Sequence, residues 1–157
     1  MKKVLIALDY DPSAKIIAET GYALAKTMGA EVILLHVIAE AAYYASMEYS
    51  PIVGFTGFTD AIPAELSIDE ALHKAAESYL DKIKEHLKDK SIQTDIREGD
   101  FAESIKEAAK DQHADIIVIG SHSRKWLENI VMGSVTEKVL KHTTVPLFIV
   151  PTKKPKS

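Results

Sequence analysis

Four short and almost purely apolar runs, Val4 to Leu8, Val32 to Ile38, Ile116 to Gly120 and Val145 to Val150, punctuate the chain and alternate with stretches of helical period. A strand that is apolar on consecutive residues has both faces covered, which is the condition of a parallel sheet wrapped by helices. Parallel neighbours need a crossover between them, and such crossovers are right-handed. The runs therefore constrain the fold to an α/β layered domain before any other feature is considered.

The intervening segments supply the helices. Asp11-Pro12 offers an N-cap and a first-turn proline, and Ile16, Ile17, Ala18, Gly21, Tyr22, Leu24, Ala25 and Met28 mark an apolar face that ends at Gly29. Ser67 and Glu70 have capping-box spacing ahead of the stripe Leu72, Ala76, Tyr79, Leu80, Ile83 and Leu87. Asp100 with Glu103 and Ser134 with Glu137 repeat that signal, the last helix turning Val135, Val139 and Leu140 inward. Ile92 to Arg97 is too polar for the sheet centre, so it belongs at a margin. Pro146 removes a ladder donor and places the last strand at an edge, or the proline at a strand start. The expected architecture is a doubly wound open sheet of five mainly parallel strands in the order 3-2-1-4-5, with helices on both faces. Its chain reversal falls between the first and fourth strands, so the ligand crevice is expected between Asp9 and Gly120.

Residues 1–152 read as one domain, with 153–157 as a C-terminal tail. From Ala39 to Leu66 periodicity fails, and Tyr43, Tyr44, Tyr49, Phe55 and Phe58 gather among Gly54, Gly57, Pro51 and Pro63. That aromatic loop either packs on the domain, contacts a second subunit or covers a ligand. A net charge of -4 argues against a broad grip on nucleic acid. The absence of cysteine removes disulfides and thiolate chemistry and fits a reducing, cytoplasmic setting. The apolar run after Lys3 stops at Asp9, short of a signal-peptide core, and no run approaches a membrane span.

Chemistry concentrates in the segment Gly120-Ser121-His122-Ser123-Arg124-Lys125 and, after it, Gly133-Ser134. Glycines let backbone approach a ligand, and a helix N-terminus presents free amides and positive potential to an anion. Arg124 can add charge and His122 a hydrogen bond, although each also reads as an ordinary loop residue. Gly133-Ser134 reads equally as a helix cap, which uses the same amides. Asp9 either terminates its strand or contacts a ligand or Mg²⁺. The six histidines show no metal-ligand spacing. No Walker loop, G-x-G-x-x-G fingerprint or kinase catalytic loop is present, so slow ATP hydrolysis is the most enzymatic reading available.

The Gly120 to Ser134 segment resembles the nucleotide-binding pattern G-x2-G-x9-G-[ST] of the universal stress protein family. Gly120, Gly133 and Ser134 match, and Ser123 occupies the position of the middle glycine. The resemblance extends to Ala7-Leu8-Asp9, Leu34 to Val37, Gly133 to Leu140 and Val145-Pro146. It implies binding of ATP or AMP with Mg²⁺ as a candidate contact of Asp9, Val37 at the adenine, and the glycine loop at the phosphates. The candidate nucleotide contacts are Ala7, Asp9, Val37, Gly120, His122, Ser123, Arg124, Gly133, Ser134, Val135 and Thr136. The resemblance also implies a homodimer joined through the last strand, and a role in stress response or signalling. The competing reading is a nucleotide-free dimeric interaction protein of the same fold, because Ser123 lacks glycine's conformational range.

Overall fold

The computed structural model describes residues 1–10, 12–38, 68–121 and 134–152. Their elements run β1 (Lys3–Leu8), α1 (Ala14–Met28), β2 (Glu31–Ile38), α2 (Ile68–Leu87), β3 (Gln93–Glu98), α3 (Phe101–Asp111), β4 (Ile116–Gly120), α4 (Ser134–His142) and β5 (Leu147–Val150). The five strands form one sheet in the order β3-β2-β1-β4-β5, as expected, and every pairing is parallel.

Strand alternation divides the core into two. Val4, Ile6 and Leu8 of β1 join Val32 and Leu34 of β2 beneath α1 and α2, which contribute Ala14, Ile17, Ala18, Ala25, Leu80 and Ile83. Leu5, Ile33, Leu35, Val37, Ile117 and Ile119 face the opposite way, against Ala102, Ile105, Ala108 and Ala109 of α3 and Val135 and Val139 of α4. Every position of β4 after Ile116 is buried, which is why its sequence shows no alternation. Gly21 sets how closely α1 lies on the sheet: a Cβ there would stand 2.8 Å from Ile6 Cδ1 and 3.1 Å from Val118 Cγ1.

Polar β3 is an edge strand, and its charges are paired rather than merely solvated. Arg97 Nε and Nη2 donate to Asp95 at 3.0 to 3.2 Å, while Nη1 reaches Asp111 of α3 at 2.8 Å. These carboxylates, Asp95 first, hold the guanidinium above its ordinary range. The ends of the helices follow local chemistry. Gly29 adopts a left-handed conformation (φ 66°) and closes α1 with bonds to the Ala25 and Lys26 carbonyls. Asp100 accepts the Glu103 N–H at 2.9 Å to open α3.

Three details differ from the sequence reading. The first α1 hydrogen bond runs from Ile17 N–H to the Ser13 carbonyl, so Pro12 lies before the helix rather than in its first turn. Ser13, the N-cap, is already in helical dihedral space and its side chain makes no cap bond, while Asp11 lies outside the described residues. Leu140, expected to face inward, is 47% exposed. At 100° per residue the buried arc of α4 is filled by Val135, Thr136 and Val139, and Leu140 lies on its flank. Last, β5 begins at Leu147, with Pro146 outside it accepting the Ile117 N–H at 2.9 Å. Glu70 lies in the first turn of α2, whereas Ser67, its capping-box partner, the aromatic segment and the tail lie outside the described residues.

Candidate functional site

The C-terminal ends of β1, β2 and β4 meet the N-terminal parts of α1, α3 and α4 around a narrow crevice that is open to solvent. It is lined by Ala7, Leu8, Asp9, Ile17, Leu35, Val37, Phe101, Ile105, Ile119 and Val135. Alternation accounts for Ala7 on β1 and for Leu35 and Val37 on β2, which face the α3 and α4 side, whereas Leu8 and Ile17 reach the crevice from the opposite face. Among the described lining residues the walls are apolar and the one carboxylate is that of Asp9, itself only 8% exposed. Such a slot suits a flat, largely apolar group with one polar edge.

The strand end that carries Asp9 is held from behind. His36 Nδ1 lies 2.9 Å from the Leu8 carbonyl oxygen, and the Tyr79 hydroxyl donates to the Asp9 carbonyl at 2.5 Å. The Tyr10 ring closes this cluster, with centroids 4.4 Å from His36 and 4.9 Å from Tyr79.

A second set of bonds fixes the corner between β4 and α4. The Thr136 hydroxyl, fully buried, donates to the Gly120 carbonyl at 2.7 Å. Ser121 N–H donates to the Val150 carbonyl at 2.8 Å, and Thr152 N–H to Ser121 Oγ at 3.0 Å. Gly120 leaves no room for a side chain, since a Cβ would meet Ile17 Cδ1 at 2.5 Å and Thr152 Cγ2 at 3.1 Å. A side chain there would have to push the end of Ile17 aside.

Of the candidates read from the sequence, Ala7, Asp9, Val37 and Val135 meet around the crevice. Gly120 ends β4, Ser134 opens α4, and Thr136 is turned into the β4–α4 corner. His122, Ser123, Arg124 and Gly133 lie outside the described residues. The sequence reading missed Leu8, Ile17, Leu35, Phe101, Ile105 and Ile119 as lining residues, treating those it noticed as core. Their positions at strand ends and in first helical turns were the available signal. Among the described residues, no group of three or more His, Cys, Asp or Glu side chains is placed to hold a metal, and no helix is long and apolar enough to cross a membrane.

An all-parallel 3-2-1-4-5 sheet with an apolar crevice at its chain reversal defines a doubly wound α/β domain. Residues 1–151 match the model of the universal stress protein family, and the chain belongs to that family. It is 32% identical over 152 residues to universal stress protein MJ0577 of Methanocaldococcus jannaschii, covering 95% of this chain and 94% of that protein. The solved structure of MJ0577 aligns with a TM-score of 0.72 over 98% of both chains. Universal stress protein YxiE of Bacillus subtilis is 32% identical over 151 residues, 94% of this chain and 97% of the relative. A universal stress protein crystallised in complex with cAMP shares the fold, with a TM-score of 0.59 and 17% identity over 95% of each chain.

Proposed function

We propose that this chain is a nucleotide-binding protein of stress response or signalling, taking ATP or AMP in the crevice beyond β1 and β4. The observation that carries this reading is the crevice itself: apolar walls from Ala7, Val37, Phe101 and Val135, with the Asp9 carboxylate among them. In this reading the base lies between the apolar walls and Asp9 accepts hydrogen bonds from base or ribose. The triphosphate extends past Gly120 towards the residue 121–134 segment, where Ser121, His122, Ser123, Arg124, Gly133 and Ser134 supply donors. Because Val135 lines the crevice, the first turn of α4 borders it and offers amides and positive potential to an anion. The solved relative in complex with cAMP supports the compatibility of this fold with an adenine nucleotide. Mg²⁺ would be held largely by the phosphates, with Asp9 as its candidate protein ligand. The protein is cytoplasmic in this reading, and two copies associate through the exposed edge of β5.

Isothermal titration with ATP, ADP and AMP, each with Mg²⁺, tests the proposal. Saturable heat and a raised melting temperature are expected; neither effect at millimolar ligand would sink it. Ser123 at a glycine position favours one alternative, a nucleotide-free dimer of the same fold. A parent protein that binds nothing while Ser123→Gly gains binding would favour that alternative.

A further inference from the structure

The regular pairing of β1 with β2 ends at Leu8 opposite His36, one residue before the carboxylate that enters the crevice. At that point two side chains take up backbone carbonyls. His36 Nδ1 is 2.9 Å from the Leu8 oxygen, and since a carbonyl only accepts, Nδ1 carries the proton. The Tyr79 hydroxyl donates to the Asp9 oxygen at 2.5 Å. The Leu8 carbonyl belongs to the peptide plane preceding the Asp9 Cα, and the Asp9 carbonyl to the plane following it. Holding both planes fixes the two soft dihedrals of Asp9, and with them the direction of its Cα–Cβ bond.

The geometry is two-sided. His36 alternates with Leu35 and Val37 along β2, so it stands on the α1 and α2 side of the sheet, where Tyr79 packs. Asp9 lines the crevice, most of whose walls (Ala7, Leu35, Val37, Ile105, Ile119 and Val135) belong to the α3 and α4 side of the sheet. An imidazole 1% exposed within the buried apolar run Val32 to Ile38 is a costly way to fill volume that leucine would occupy. A donor aimed at a strand-end carbonyl accounts for it.

We propose that His36 and Tyr79 are positioning residues that hold both peptide planes flanking Asp9 and so aim its carboxylate into the crevice. This rests on the nucleotide reading above. The test is titration of ATP with Mg²⁺ into the full chain and its variants, each checked by thermal melting. Tyr79→Phe, which removes one oxygen, is expected to weaken binding about threefold to tenfold, the effect of one hydrogen bond. His36→Leu is expected to do the same, while His36→Asn, whose amide nitrogen can stand where Nδ1 stood, retains wild-type affinity. In an Asp9→Asn background Tyr79→Phe should add little, because its effect runs through the carboxylate. Unchanged affinity in Tyr79→Phe, or an equal loss with and without the Asp9 carboxylate, overturns the inference and leaves the nucleotide reading standing. Equal losses in His36→Asn and His36→Leu overturn the donor role. A wild-type protein that binds no ATP overturns both.

Discussion

The hydroxyl of Thr136 in the first turn of α4 donates to the carbonyl of Gly120 at the end of β4 across 2.7 Å, in a position sealed from solvent. One side-chain bond thus ties the end of β4 to the start of α4, on either side of the Gly120 to Ser134 segment. Thr136→Val preserves the shape of the side chain and removes the donor. Its expected cost is about 1 to 3 kcal/mol of stability, since a buried carbonyl loses a partner. Urea denaturation measures that cost, and nucleotide affinity should fall with it. A wild-type unfolding midpoint would show that the bond contributes nothing.

Two glycines set the fit between α1 and the sheet, Gly21 from within the helix and Gly120 from the end of β4, and their substitutions should differ. At Gly21 a methyl group would press on Ile6 and Val118, both fully buried strand residues, at 2.8 and 3.1 Å. Helix propensity favours alanine by about 1 kcal/mol, but overpacking costs about 1 to 3 kcal/mol, so Gly21→Ala should be net destabilising. At Gly120 the closest atom is the terminal methyl of Ile17, a crevice-lining residue, at 2.5 Å. Gly120→Ala should displace that methyl and lower ligand affinity more than stability. Denaturation and titration on the same two variants separate these outcomes.

Acid sensitivity should have an identifiable source at the far end of the molecule. Asp89 accepts from Ser91 Oγ at 2.5 Å and Ser91 N–H at 2.9 Å, from Tyr22 at 2.7 Å and from Lys26 at 2.9 Å. The Ser91 hydroxyl first, then Lys26 and Tyr22, holds this carboxyl well below the usual carboxylate range. The folded state therefore binds fewer protons than the unfolded one. The stabilisation is complete above the unfolded pKa of about 4 and is lost as pH falls towards the folded value. Asp89→Asn should lower the unfolding midpoint at neutral pH and flatten its decline below about pH 4. Parallel pH profiles for variant and wild type would discard this account.

Much of the fold was legible because burial on both faces leaves no freedom in composition. The apolar run Ile116 to Ile119 admits no reading but a central strand, and the charges of Asp95 and Arg97 place β3 at a margin. Gly29 and Asp100 announce their roles because caps are local. Leu140 misled because hydrophobicity alone does not fix its angle around α4. The support of Asp9 was illegible for another reason: Leu8, Asp9, His36 and Tyr79 meet across 28 and 70 residues, and no local pattern marks a histidine or tyrosine as a carbonyl donor. Part of the crevice lining was hidden likewise, since Leu35 and Ile119 look identical to core until the strand ends are known.

The exposed margin at β5 leads to the last prediction. β5 pairs with β4 on one side, and among the described residues no strand pairs with its other side. Leu147 and Ile149 pack against the α3 and α4 layer, whereas Phe148, on the opposite face, is 37% exposed. An apolar edge without a charge to block it is a template for another strand, and a second copy of β5 satisfies it with a closed twofold interface. Phe148→Lys places a charge on that edge without touching the crevice. The wild-type protein is expected to sediment as a dimer and the variant as a monomer of unchanged helical content. A monomeric wild type, or a Phe148→Lys protein that remains dimeric, removes β5 as the subunit contact.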